Sequence, residues 1–302
     1  VAVLFYGHSY PNRTRGCVAA LMEKLTPFAN VLPVAFARAT QRDLAKLREI
    51  LTHQTGRPVD LVVNLLAFRP MGGDAAAGVQ LLTDLDAPVV HPFFMSRKDE
   101  DQWRQSPQGI HSAEFLIQVM LPELDGCIET IPIGALGPAA YDAGQDIELR
   151  ELCLIEERAA KVAGRVQKWL TLRQKPNREK KVAIVCYNYP PGEDNLFGGA
   201  FLDTFASVER ILNCLAAAGY QTGPLDADAL RAAFTAGKLV NSGRWQSDSS
   251  DVPFIRYNSG SYSARQGDAS WKEELQRQWG TPPGEIMSEA GAFLIPGITA
   301  GN

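Results

Sequence analysis

The first 94 residues constrain the fold most, because apolar runs and helical stripes alternate there without a break. VAVLFY (1–6), VLPVAF (31–36), DLVVNLLAF (60–68) and PVVHPFF (88–94) are short, apolar and bounded by turn residues. Near-continuous apolar runs of that length read as strands buried on both faces of a sheet. Helical stripes fill the gaps. Val18, Leu21, Met22 and Leu25 recur at i, i+3, i+4 and i+7, and Leu44, Leu47 and Leu51 share one face of QRDLAKLREILTHQ. A third helix is expected near 75–84. Strands alternating with helices predict a parallel, doubly wound sheet.

The middle of the chain is patterned differently. Ser112 is placed to N-cap a helix in HSAEFLIQVMLPEL, with Glu114 in its first turn, where the helix dipole favours an acid. CIETIPI (127–133) reads as a short strand. Leu149, Leu152, Ala159, Val162, Val166 and Trp169 then mark one amphipathic helix over 146–173, running into the basic stretch RQKPNREKK, a solvated linker.

A second lobe opens with the strand KVAIVCY. Val208, Ile211, Leu212 and Leu215 form a helix stripe that Gly219 ends as a C′ glycine. DADALRAAFTAG and SWKEELQRQWG read as helices, the Ser/Gly-rich stretch from 241 as loop, and TPPGEIMSEAGAFLIPGI as a hairpin turning at EAG. The expected fold is therefore α/β, two doubly wound Rossmann-like lobes with parallel sheets joined by a long connector helix. Its divisions are a first lobe at 1–135, connector helix and basic linker at 136–180, and a second lobe at 181–302, truncated at its C-terminal end. Val1 opens directly in a strand pattern without an initiator methionine, and the chain stops just after AFLIPGITAGN, so a piece of a longer polypeptide is expected. VAVLFYGHSYP and VAIVCYNYPP share strand, tyrosine, polar or aromatic pair and proline. An internal repeat and a merely shared local geometry both account for that.

Several function classes are excluded. A net charge of −4 and a pI near 5.7 offer no basic surface for nucleic acid. No apolar stretch approaches the roughly 18–20 residues that span a membrane, and no signal peptide is visible. Five widely spaced cysteines, an odd number, read as reduced thiols in a cytoplasmic protein rather than a disulfide framework. CxxC and HExxH are absent, which argues against structural zinc. No GxSxG elbow occurs, and Glu114, Glu123 and Asp125 do not fall on one face as a general-acid pair would.

The loop YNYPPGEDNLFGGAF after the second-lobe strand occupies the place of a phosphate loop but lacks its chemistry. A dinucleotide site needs GxGxxG so that backbone N–H groups reach the pyrophosphate. Here Pro190 and Pro191 remove two donors, Glu193 and Asp194 repel phosphate, and no Walker lysine is present. Tyr187, Asn188 and Tyr189 instead present flat π-faces and hydrogen bonds at the carboxyl end of a strand, where open α/β sheets bind ligands. They suit a large, flat, partly apolar ligand; packing at a lobe junction is the competing reading. His8 and His91 are placed on the same kind of edge in the first lobe, as ligand-binding groups or as capping and filling residues. His111 belongs to helix capping and His53 to a solvated helix end.

Three ordered segments resemble one family. KPNREKKVAIVCYNYPPGEDNLFGGAFLD is similar to a stretch of the large subunit of cobalt and magnesium chelatases, the CobN and magnesium chelatase H family. GIHSAEFLIQVMLPELDGCIETIPIG and WGTPPGEIM with FLIPGITAGN resemble two further stretches of it. The matches cover most of 109–302, and 1–108 fits more loosely. The resemblance implies a large subunit that binds a tetrapyrrole and inserts Co or Mg, driven with ATP by an AAA+ ATPase subunit and its adaptor. ATP then belongs to the partners, and Tyr187, Asn188, Tyr189, His8 and His91 become candidates for the macrocycle cleft. The family's HGTHG-type segment, associated with its metal chemistry, has no counterpart here. No catalytic residue, no resident cofactor and no chelatase activity of these residues alone are therefore expected. YNYPPG and FLIPG look more like the cobalt branch. Glu193 stands where lysine is common in the family. A stand-alone two-lobed binding module and a sugar-nucleotide transferase are the other classes, the latter requiring a glycine-rich phosphate loop that is absent.

Overall fold

The computed structural model describes residues 1–7, 14–36, 44–53, 56–67, 75–142, 144, 146–189, 196–199, 201–236, 254–266 and 271–301. They form two compact units, Val1–Gln174 and Lys175–Asn302.

In the first unit, β1 (Ala2–Tyr6), α1 (Arg15–Leu25), β2 (Leu32–Phe36), α2 (Leu44–His53), β3 (Val62–Asn64), α3 (Ala75–Leu85) and β4 (Val89–Asp99) follow the alternation read from the sequence. A short helix α4 (Glu100–Gln105) follows, capped by Asp99. The next helix is composite: α5 (Ser112–Phe115), a π-helical turn at Leu116–Met120, and α6 (Leu121–Leu124). Its cap is His111, whose ring accepts from the Ala113 N–H at 3.1 Å, rather than Ser112. Two long strands, β5 (Ile128–Asp142) and β6 (Ile147–Leu154), and the helix α7 (Glu156–Gln174) complete the unit.

The sheet runs β2-β1-β3-β4-β5-β6, parallel from β2 to β5, with β6 antiparallel at the edge. Alternate residues of β1 face opposite ways, as strand geometry requires. Val3 packs with Val63, Val90 and Ile133 under α1 and α7, while Ala2 and Leu4 pack with Val62 and Val89 under α2 and α3. Both faces are therefore covered by helices, the arrangement of a doubly wound sheet.

The helix expected over 146–173 begins only at Glu156, because Ile147–Leu154 pairs as a strand with β5. Leu149 and Leu152 fit a helical spacing, yet eight residues are too few for periodicity to decide. Glycines permit the pairing. A Cβ on Gly134 would lie 2.6 Å from the Phe94 ring and 2.9 Å from the Cys153 carbonyl, and one on Gly137 would lie 2.5 Å from the Cys153 sulfur. Nor does α7 stand free as a connector. Its Val162, Ala163, Val166 and Leu170 are core residues of the first unit. Glu129 of β5 pins it, accepting from Arg165 Nε at 2.9 Å and Trp169 Nε1 at 3.1 Å.

The second unit contains α8 (Thr204–Ala217), α9 (Ala227–Ala236), β7 (Ile255–Asn258), α10 (Ser259–Gln266), α11 (Trp271–Trp279), β8 (Ser288–Glu289) and β9 (Ala292–Ile295). Gly219 follows α8 with φ +83°, as a C′ glycine should. The EAG turn joins β8 to β9. Among the described residues the sheet here is antiparallel, in the order β7-β9-β8, and not the parallel sheet expected for a second lobe. KVAIVCY, expected as a strand, joins no ladder among the described residues. After α8 the chain does not return as a parallel neighbour; Thr222 makes an isolated antiparallel bridge to Gly301 instead. The α/β class thus rests on the first unit, where the parallel sheet is complete.

Candidate functional site

The sheet order places a topological switch point at the carboxyl ends of β1 and β3, because the chain leaves β1 for β2 on one side and β3 lies on the other. Ligands of open α/β sheets bind at such points. The crevice is bridged by the Tyr6 hydroxyl, which donates to the Ala67 carbonyl at 3.2 Å. His8, expected at this edge, lies outside the described residues.

His91 lies deeper. It is fully buried in β4, beside the equally buried Asn64 at the end of β3. Its Nδ1 is 2.8 Å from the Asn64 carbonyl oxygen and 2.9 Å from the Asn64 Nδ2. The Asn64 side chain is oriented by its own backbone, accepting from the Leu66 N–H at 3.2 Å and donating to the Leu66 carbonyl at 3.3 Å. These contacts tie the ring to the end of β3, and Nε2 is buried without a hydrogen-bond partner among the described residues. Burial lowers the His91 pKa to about 4, with the Asn64 and Gln118 carbonyls pulling it partway back. At neutral pH the ring is an uncharged strut between β3 and β4.

Sequence reasoning passed over a second buried polar pair. Glu114, nearly inaccessible, accepts from both the N–H and the hydroxyl of Ser96, at 2.7 and 2.9 Å. Its other oxygen has no partner among the described residues. The available signal was that Glu114 lies in a stretch carrying the family resemblance, although its place in a first helical turn explained it too easily.

In the second unit, Tyr187 and Tyr189 are 77% and 64% exposed, and their rings stack with centroids 6.0 Å apart and planes within 16°. Residues two apart in an extended chain share a side, which brings the rings together. Asn188 points the other way and accepts from the Phe197 N–H at 2.9 Å. Phe197 is buried against Phe205 and Phe234, and the Thr204 hydroxyl donates to its carbonyl at 2.6 Å. Asp203 caps α8 by accepting from the Ala206 N–H at 3.0 Å. The residue between the two tyrosines is thus anchored to the buried Phe197. Pro190, Pro191, Glu193 and Asp194 lie outside the described residues.

A groove of about 160 Å³ in the same unit is walled by Trp279, Pro282 and Pro283 of the WGTPPG stretch, facing Tyr262, Leu275 and Phe293. Among the described residues no group of three His, Cys, Asp or Glu side chains is arranged to hold a metal ion, and no helix is long and apolar enough to cross a membrane. His91 belongs to the first unit, and Tyr187, Asn188 and Tyr189 belong to the second.

The first unit is a doubly wound sheet with a buried histidine beside its switch point, and the second unit carries an exposed aromatic pair. The CobN/Magnesium Chelatase family profile matches residues 1–302, and the chain belongs to that family of metal chelatases. It is 30% identical to the magnesium-chelatase subunit ChlH, chloroplastic, of Oryza sativa subsp. japonica, over 94% of this chain and 20% of that protein. It is 31% identical to the aerobic cobaltochelatase subunit CobN of Pseudomonas aeruginosa, over 75% of this chain and 18% of that protein. The catalytic subunit of cobaltochelatase from Mycobacterium tuberculosis has a similar structure, with a TM-score of 0.73 and 26% identity over 99% of this chain and 25% of that one. The chain therefore spans about a fifth to a quarter of the length of these relatives.

Proposed function

We propose that these residues are part of the tetrapyrrole-binding large subunit of an ATP-dependent metal chelatase, and that the metal is cobalt, inserted into a corrin precursor. The observation that carries this reading is the exposed, stacked Tyr187–Tyr189 pair, in a chain whose whole length matches a chelatase family. Two parallel π-faces suit one face of a macrocycle, and Asn188 between them is anchored to Phe197. His91 acts as a positioning residue: its burial keeps it from touching the ligand, and its contacts to Asn64 tie the end of β3 to the start of β4. His8, two residues after β1 in the sequence, is the further candidate for the cleft.

The chemistry is positional. The subunit holds the flat ring in a water-poor cleft, a base removes the pyrrole N–H protons, and the metal substrate enters as ATP-driven partners change the cleft. The base belongs to residues outside this chain, and ATP to an AAA+ ATPase subunit and its adaptor. Five free thiols fit the cytoplasm. Magnesium insertion into protoporphyrin is the second reading, favoured by the ChlH relatives at comparable identity.

Titration of tryptophan fluorescence with a metal-free corrin precursor and with protoporphyrin tests both. Saturable quenching at micromolar concentration by the corrin, weakened about tenfold by Tyr189→Ala, is the expected result for loss of one stacking face and its buried area. Quenching by protoporphyrin alone selects magnesium. No quenching by either removes the macrocycle from these residues.

A further inference from the structure

Residues Val182–Cys186 combine features that do not belong together on a finished surface. The run VAIVC is apolar without interruption, the composition of a strand buried on both faces of a parallel sheet. It lies in no helix and joins no ladder among the described residues. Both faces are open: Val182 and Ile184 are exposed on one, and Val185 on the other is 91% exposed. The segment is no loose tail. Cys186 packs against the Phe197–Phe205 cluster, which raises its thiol pKa by burial, and Asn188 is tied to Phe197. A loop and the amphipathic α8 follow, so strand, loop and helix stand in the order of a crossover unit, with the strand's neighbours missing.

From this geometry we infer that Val182–Cys186 is a strand of a second parallel sheet, completed by strands from the remainder of the same longer polypeptide. The relatives are four to five times as long as the stretch they share with this chain, so polypeptide is available to cover it. A run that is apolar on both faces has the composition of a parallel-sheet strand, which makes a parallel neighbour the fitting partner. The added strands pair with its free backbone edges, and further segments of the same polypeptide cover its two open apolar faces. Tyr187 and Tyr189 then stand just beyond the carboxyl end of a sheet strand.

Hydrogen–deuterium exchange on the full-length polypeptide that carries these residues decides it. No macrocycle is added, so the outcome is independent of the tetrapyrrole reading. The amides of Val182–Cys186 are expected to exchange at least about 1000-fold more slowly than in an unstructured chain, the behaviour also expected of the doubly paired β1. Exchange within about tenfold of the unstructured rate overturns the inference. Protection that disappears on dilution assigns the strand to contact with a second copy, and protection that appears only after other subunits are added assigns it to a separate partner. Either of those results also overturns it.

Discussion

VAVLFY at the start of the chain and VAIVCY at 182–187 are nearly the same word in opposite surroundings. In the first, Ala2, Val3 and Leu4 are wholly buried, with β2 paired on one side and β3 on the other. In the second, Val185 is almost fully accessible. The composition of a run states what neighbours it needs. Whether they are supplied depends on strands that the run itself does not encode.

The sharpest way to break this comparison is the same substitution in both places. Val3→Asp puts a carboxylate between two packed faces and is expected to cost at least about 4 kcal/mol, whereas Val185→Asp changes the stability of the 302-residue chain by no more than about 0.5 kcal/mol. Urea denaturation of the two variants measures both. Equal costs would mean that the two segments are equally enclosed.

Close packing in the first unit is tested next by Gly134→Ala. The added methyl meets the Phe94 ring and the Cys153 carbonyl at distances no Cβ tolerates, and a loss of about 1–3 kcal/mol is expected in the same assay.

His91 gives that unit a pH dependence. Its folded pKa, about 4, lies below the unfolded value near 6.5, so the unfolded chain binds the proton first as pH falls. The contribution of the neutral ring is complete above 6.5 and is lost progressively between 6.5 and 4. Between pH 7 and pH 4.5 the wild type should lose about 2 kcal/mol more than His91→Gln does, the difference between the two slopes being the quantity that isolates this ring from the carboxylates.

The smallest effect belongs to the second unit, where Asp203→Ala removes the α8 cap and should cost about 1 kcal/mol. A larger loss would show that the segment carrying Tyr187 and Tyr189 depends on that cap.

The first four strands and three helices were legible because each buries a face whose period matches its geometry. Residues such as Leu21, Leu47 and Leu51 decide that locally. β6 was not legible, since its identity depends on pairing with β5 and on the missing Cβ atoms of Gly134 and Gly137. Of the candidate site, the aromatic pair followed from two residues at a spacing of two. His91 could be found in sequence, but its burial beside Asn64 could not, because that contact joins residues 27 apart through the packing of β3 on β4.

The π-helical turn at Leu116–Met120 acts as a phase corrector. Glu114 before it and Pro122 after it are both buried, though eight residues of α-helix overshoot two full turns by about 80°. The wider turn absorbs that excess and returns both residues to the side facing the sheet. A one-residue gap among relatives within this stretch is therefore a change of helical register, one that would swing Leu121–Leu124 about its axis and re-aim everything it presents.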